Sequence, residues 1–463
     1  MKYPAYPEYK PSNTDWIGSV PEYWEVKRLR FLLCARFTNG LFKKAEFWGD
    51  GNRIINVTDL YTGNDLVDET HLDRLECNAE ELKTYSANHG DFFVVRSSLK
   101  LQGIGKSAVL INPSEATVFE CHIVRGRPNL DEVHPRFLNL FMNSAYARQY
   151  FMTRSNVVTM ATIDQERIKS LVVALPGYVE QQQIAAFLDW KTGQIDALIA
   201  KKQELIEKLK EKRLAVITQA VTKGLNPAAP QRDSGIPWLG QVPERWEVKR
   251  LKFSVSKVGS GVTPKGGAET YETSGIPFLR SQNIHFEALR LDDVVYISEE
   301  VDSDMENSRT AVGDVLLNIT GASIGRCNYV DEALPKANVN QHVCIIRPEE
   351  ILLTKYLHFL MWSQIGQMQI DIEQSGSGRE GLNFVVIKNF IFPLPKIGEQ
   401  KEIVLQIEKT LNELESLLVK VETAIEHLTE YRTGLITATT TGKIDVRSLS
   451  PTPPPQAGEG LAD

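Results

Sequence analysis

The sequence predicts an α+β protein built twice over, with two similar globular domains, each followed by a long helix. Three observations carry this. The segment Trp16–Phe31 returns as Trp238–Phe253 at an offset of 222, with twelve of sixteen positions identical. Behind each copy come short β-type runs punctuated by Gly, Asn and Asp, such as Asp91-Phe-Phe-Val-Val-Arg96, Thr117–Val124, Val315–Ile319 and His342–Arg347. Each half then ends in a long stretch free of Gly and Pro, between Gly193 and Gly224 and between Gly398 and Gly434.

The repeat continues through the interior. Gly90-Asp91 matches Gly313-Asp314, Ile104-Gly105-Lys106 matches Ile324-Gly325-Arg326, His122 matches His342, and Arg127-Pro128 matches Arg347-Pro348. Leu175-Pro176 with Glu180-Gln181 and Ile184 matches Leu394-Pro395 with Glu399-Gln400 and Ile403. A period of about 220 residues is far above that of solenoids and propellers, so this is a duplicated domain pair.

The elements follow in order. Residues 1–15 form an N-terminal arm and 16–179 a first globular domain, with a helix expected over Pro135–Phe151. A long helix spans 180–225, its stripe made of Ile184, Leu188, Ile195, Ile199, Ile206 and Leu209 and interrupted by Lys202, where a polar residue can set register. Residues 226–237 are a Pro-rich linker. The second domain spans 238–398, with its helix over Leu353–Ile370, and the second long helix spans 399–443. There Val404, Ile407, Leu411, Leu414, Leu418, Val421, Ile425 and Leu428 alternate steps of three and four, the pattern of a coiled coil. Helices of roughly 40 residues reach about 60 Å. Their common length and narrow stripe favour pairing with each other over packing on their own domains. Residues 444–463, rich in Pro, read as a disordered tail.

Composition bounds the function. At 463 residues, 42% hydrophobic and 24% charged, the chain is an ordinary folded protein too long for one core. No apolar run approaches a membrane span, and Met1–Pro7 is neither a signal nor a transit peptide. Five cysteines without a Cys-x-x-Cys pair favour a reducing, cytoplasmic setting. The net charge of −7, from 52 basic and 59 acidic residues, argues on its face against nucleic acid. The deficit, however, lies in the second half and the tail, while the first domain is balanced. Phosphate binding depends on where the Lys and Arg sit, and partners can supply more. The acidic total therefore argues against acting alone.

A search for catalytic chemistry is negative. Gly105-Lys106-Ser107 lacks the first glycine of a phosphate loop, since Lys100 stands there, and Gly259-x-Gly261 meets Pro264 where a dinucleotide fingerprint needs glycine. Glu22, Glu25 and Lys27, repeated as Glu244, Glu247 and Lys249, look like nuclease carboxylates, but the acids are only three residues apart and sit beside Trp24 and Trp246, so these segments read as packing and docking elements. The eight histidines suggest no metal cluster, and His122 and His342, inside apolar runs, read as buried, hydrogen-bonded imidazoles. No Asn-Pro-Pro-Tyr tetrapeptide of amino-methyltransferases occurs. The chain reads as a reader or a scaffold, without a cofactor or metal of its own.

The paired Trp-Ile/Leu-Gly-x-Val-Pro-Glu-x-Trp openings and paired Leu-Pro-x-x-x-Glu-Gln-x-x-Ile stretches resemble those of the specificity subunit of type I restriction–modification enzymes, over all of the chain but the tail. The resemblance implies two target recognition domains, each reading half of a split double-stranded DNA sequence. It also implies two long helices paired antiparallel as a spacer in a pseudo-two-fold arrangement, and docking of two methyltransferase subunits. S-adenosylmethionine, ATP and Mg would serve those and the restriction subunits, not this chain. Two readers joined by a stiff spacer suit half-sites about one DNA turn apart.

The readers diverge between the shared motifs. Placing Gly51 opposite Gly275 sets Ile55–Asp59 against Leu279–Asn283. Arg280 suits guanine O6 and N7, Gln282 and Asn283 suit adenine N6 and N7, and Asn56 and Thr58 hold the same place in the first copy. Further on, Arg96–Gln102, with Ser97, Ser98, Lys100 and Gln102, stands against Asn318–Ser323, with Asn318, Thr320 and Ser323, three residues being added in the first copy. Lys106 and Arg326 keep a positive charge after the shared Ile-Gly, as a phosphate contact would. Lys43, Lys44 and Lys265 are further backbone candidates, and Arg379 lies in the Gly-rich run Ser375–Arg379. A solvated loop is the plainer reading of any one of them. The second copy keeps Thr263-Pro264 and Asn283-Ile284, typical of the family, where the first has Leu41–Lys44 and Asp59-Leu60. The competing functions are a coiled-coil interaction scaffold without DNA readout and an enzyme with an unrecognised site.

Overall fold

The computed structural model describes residues 3–61, 65–334, 336–376 and 381–449. The chain divides into two compact units, residues 1–203 with 422–463, and residues 204–421.

In the first unit the repeated opening becomes a strand, Glu25–Arg28, paired antiparallel with Val172–Leu175 in the register Glu25↔Leu175. This places the opening beside the segment that leads into the long helix. Trp24, just before the strand, is fully buried. A four-stranded antiparallel sheet follows, ordered Thr38–Asn39, Ile123–Gly126, Phe92–Val95 and Ser107–Val109. All four residues of Phe92–Val95 are buried, the mark of a strand covered on both faces. A three-stranded sheet holds Thr117–Phe119 parallel to Trp48–Ile55, with Asp73–Leu75 antiparallel on its other edge. Gly40 is required beside these sheets, because a Cβ there would lie 2.0 Å from the Glu120 carbonyl oxygen.

The second unit repeats this plan. Glu247–Arg250 pairs antiparallel with Ile391–Leu394. Its four-stranded sheet is ordered Val255–Ser260, Val343–Pro348, Val315–Asn318 and Cys327–Tyr329. In its three-stranded sheet, Asn338–Val339 runs parallel to Ile276–Leu279, with Val295–Ile297 antiparallel. The shared Gly-Asp and Arg-Pro motifs form one ion pair in each unit. Asp91 is fully buried and takes both Arg127 Nε and Nη2 at 2.7 Å, and the equally buried Asp314 takes Arg347 Nε at 2.7 Å and Nη2 at 2.8 Å.

The helix expected over 135–151 is two helices, Pro135–Met142 and Ala145–Arg154. Ser144 restarts the second by accepting from the Ala147 amide, a stronger local preference than continuing the turn. Leu353–Ile370 divides likewise into Thr354–Trp362 and Gln364–Gly376 at Ser363.

The long helices run over Tyr178–Lys223 and Ile397–Thr440. The shared glutamine near each start is a clamp. Gln181 accepts from the His134 amide at 2.8 Å and donates to the Pro176 carbonyl at 2.9 Å, and Gln400 treats the Leu353 amide and the Pro395 carbonyl alike, both at 2.9 Å. Each unit also receives the end of the other helix. In the first, Thr437 Oγ1 accepts from the Ala145 amide at 2.8 Å, and in the second Thr218 Oγ1 accepts from the Gln364 amide at 2.9 Å. Within a unit one helix therefore leaves the domain while the other arrives, so the two run in opposite directions. Ile184, Leu188 and Ile195, and Val404, Ile407, Leu414, Leu418 and Val421, are buried, as their spacing predicts. Both helices stop at glycines in the left-handed region, Gly224 (φ 73°) and Gly442 (φ 74°), seated against Trp246 and Trp24.

The arm and the linker are more ordered than their composition suggests. Tyr9–Pro11 pairs with Ser19–Pro21, and Gln231–Asp233 pairs with Gln241–Pro243. The tail expectation is corrected in its first residues. Ile444 and Val446 are buried and the Asp445 amide donates to the Pro4 carbonyl at 2.9 Å, because the apolar pair completes the first core. The rest of the tail, 450–463, lies outside the described residues.

Candidate nucleic-acid interface

Each domain builds the same turn at the end of its central parallel-paired strand. The Asn56 amide donates to Asp59 Oδ2 at 2.7 Å, and the Arg280 amide donates to Asn283 Oδ1 at 2.9 Å. This fixes the alignment of Ile55–Asp59 with Leu279–Asn283, and it assigns Asp59 and Asn283 to holding the turn. Asn283 is fully buried and also donates to the Arg290 carbonyl and to Asp293, both at 2.9 Å. It is therefore withdrawn from the set of base contacts. Arg280 sits half-buried, with Nη2 on the Asp293 carbonyl at 3.0 Å and its guanidinium 5.9 Å from the Tyr271 ring centre, while Gln282 is exposed and bonded to Asp293. Asn56 is half-buried on Asp73 at 2.9 Å, and Thr58 is exposed.

A second turn lies beside the first. Gly105 and Gly325 donate to the carbonyls of Val95 and Asn318, both at 2.9 Å, so Asn318 is in register with Val95 and not with Arg96, the pairing expected from sequence. Asn318 is fully buried, donating to the Ser281 carbonyl at 2.8 Å and Ser323 Oγ at 3.1 Å, and ties the two turns together. Thr320 meets His342 Nδ1 at 2.5 Å, His342 meets Gln341 at 2.9 Å, and Gln341 accepts from Thr263. The burial expected of the two histidines is corrected. His342 is half-buried and His122 exposed, because each stands in the turn before its strand begins.

Among the lysines, Lys106 is bonded to the buried Asp65 and Lys43 to Glu81 at 2.7 Å, which gives both of them internal partners. Lys44, Lys100 and Lys265 are exposed, and Arg326 is half-buried. Arg379 falls outside the described residues.

One cleft of about 760 Å³ gathers several of these positions. It lies in the first domain and is lined by Ser97, Ser98, Lys100 and Gln102 together with Val57, Tyr61, Leu99, Gly103, Glu120, His122 and Met160. Ser98 is buried and accepts from the Lys100 amide at 3.2 Å, which shapes the loop. Arg148, which sequence reasoning missed, supports the loop from below by donating to the carbonyls of Gln102 and Ile104, and burial pushes its guanidinium down to about 10. Glu120, Cys121 and His122 bring donor atoms within 4.8 Å of one another, a grouping not expected from the histidine spacing. Glu120 is already engaged by the Val57 amide at 3.0 Å.

The family model for the type I restriction modification DNA specificity domain matches residues 21–210 and again 243–426. The chain belongs to that family. This specificity subunit is 25% identical to the putative type I restriction enzyme MjaX specificity subunit of Methanocaldococcus jannaschii, over 93% of this chain and 96% of that protein. It is also 25% identical to the type I restriction enzyme EcoBI specificity subunit of Escherichia coli, over 97% of this chain and 92% of that one. A solved chain from a study of complex assembly and conformational transition in the type I R-M system shares the fold, with a TM-score of 0.68 at 14% identity over 92% of this chain and 99% of that chain. The two family matches coincide with the two copies of the domain-plus-helix plan, so the specificity subunit reads DNA sequence through its duplicated domains and works within a restriction–modification complex. Among the described residues, no helix is long and apolar enough to cross a membrane.

Proposed function

We propose that each domain reads one half of a split double-stranded DNA target, and that the paired helices set the gap and dock two methyltransferase subunits. Adenine methylation with S-adenosylmethionine, and DNA cleavage with ATP and Mg, then reside in methyltransferase and restriction partners, with the complex in the cytoplasm. One observation carries the reading. Two domains keep the same sheets, clamps and ion pairs, while the loops at the ends of their central strands carry different side chains. A fixed frame with exchanged loops is what two half-sites of different sequence require.

Mapping methylated adenines in cells carrying this chain and its partners tests it. Two half-sites at fixed spacing are expected, and exchanging residues 16–179 for another such domain changes one half only. A heptad added to both helices, about 10 Å by the rise per residue, lengthens the gap by about three base pairs. Methylation without sequence preference, or both halves changing on the exchange, would overturn the reading.

A further inference from the structure

The first domain carries an apolar feature whose residues have no apolar counterparts in the sequence of the second. Asn156–Val157, Ala161–Thr162 and Ser97–Ser98 form a small antiparallel sheet, in the registers Val157↔Ala161 and Ala161↔Ser98. The chain leaves this sheet through Leu99 on one side and turns through Val158 on the other. These two side chains are 84% and 91% exposed, the highest values among the large apolar residues described, and with Met160 they are neighbours at one end of the sheet, where apolar surface gathered in one place marks a binding site. Leu99 and Met160 line the 760 Å³ cleft beside Ser97, Lys100, Gln102 and His122, so apolar surface and hydrogen-bonding groups share one rim.

The asymmetry between the halves says what covers this rim. Carrying the alignment from Ile163 and Leu382 back by sequence sets Val157, Val158 and Met160 against Gly376, Ser377 and Arg379, and Leu99 lies in the segment lengthened by three residues in the first copy. A partner that binds both halves alike has to use what the halves share, such as the Gln181 and Gln400 frame. Side chains present in one half only answer to something that differs between the halves, and that is the DNA half-site. On the edge of a base pair the apolar group is the 5-methyl of thymine in the major groove.

Resting on the reading of the chain as a DNA specificity subunit, we propose that Leu99, Val158 and Met160 pack against the 5-methyl group of a thymine in the half-site read by the first domain, with Gln102 and Lys100 beside it. The test uses the full chain assembled with its methyltransferase subunits, on duplexes whose target has been located by methylation mapping. Each thymine of that half-site is replaced singly by deoxyuridine, which removes the methyl group and nothing else, and affinity is read by fluorescence anisotropy. One position weakens wild-type binding about fourfold, the transfer value of one buried methyl group. In the Leu99→Ala/Val158→Ala variant the same replacement has no effect, while recognition of the other half-site is kept, which reports an intact fold. A variant as sensitive to deoxyuridine as the wild type, or a half-site with no sensitive thymine, overturns the inference and leaves the specificity reading standing. An assembled complex with no preference for its mapped target sinks that reading itself.

Discussion

Asp65 is a buried charge of the first unit that meets cations from both its recognition domain and a long helix. Its side chain is 1% exposed, it is bonded to Lys106, and Arg432 Nη2 of the second long helix lies 3.9 Å from its other oxygen. Its carbonyl accepts from Asn139 Nδ2 at 2.7 Å, and its backbone sits in the left-handed region at φ 58°. Asp65→Asn isolates the charge, because asparagine keeps the volume and tolerates that conformation. Removing one partner of a buried ion pair costs about 3–5 kcal/mol. The lower end applies here, because Lys106 keeps 23% of its side chain exposed, where water screens its charge, and Arg432 keeps its ion pair with Asp196 at 2.9 Å. For a unit of this size about 3 kcal/mol lowers the melting temperature by about 6–12 °C. Differential scanning calorimetry of the full chain measures it, and the loss belongs to the first unit's transition. A shift below about 2 °C would refute the argument, since it would mean that Asp65 is not the joint between the recognition domain and the helix.

The remaining predictions follow from the same contacts. Lys106→Gln lowers stability but leaves the salt dependence of DNA binding by the assembled complex unchanged, whereas Lys100→Gln, at an exposed lysine, reduces the slope by about one; titrating affinity against salt separates them. Burial pushes the imidazole of His358, enclosed by Tyr329, Phe359 and Trp362, down to about 3, so the unfolded chain binds the proton more readily. The second unit therefore loses stability as pH falls below about 6.5, by about 2 kcal/mol at pH 5. His358→Asn, which copies Asn139 of the first domain, flattens that limb in urea titrations at several pH values. Gly442→Ala puts a Cβ 2.3 Å from Pro21 at a positive φ and destabilises the first unit by more than about 1 kcal/mol, read by the shift of its thermal transition.

The duplication made the frame legible. Identical Glu-Val-Lys-Arg runs became the same strand in both units, and the three-and-four spacing of Val404 to Val421 became a buried stripe. The helix breaks were not read, since one helix was expected in each copy, although Ser144 and Ser363 are cap residues inside the apolar run. The availability of the polar site residues was not legible. Whether a side chain can reach a base depends on partners distant in sequence, as with Lys106 on Asp65, Lys43 on Glu81 and Asn318 on the Ser281 carbonyl. No local pattern reports such pairings. Arg148 escaped notice for the same reason, because it acts through the carbonyls of a loop more than forty residues away.

The clasp between the chain ends bears on the order of synthesis. Residues 204–421 are contiguous, whereas the first unit needs Tyr3 to Gln203 and also Glu422 onward, with Asp445 on Pro4 and the Gly442 turn under Trp24. On the ribosome the second unit has its whole sequence available while the first still lacks a helix and part of its core. The domain made first is thus the last that can be finished, and a nascent chain stopped before residue 422 leaves it open with its partner already closed.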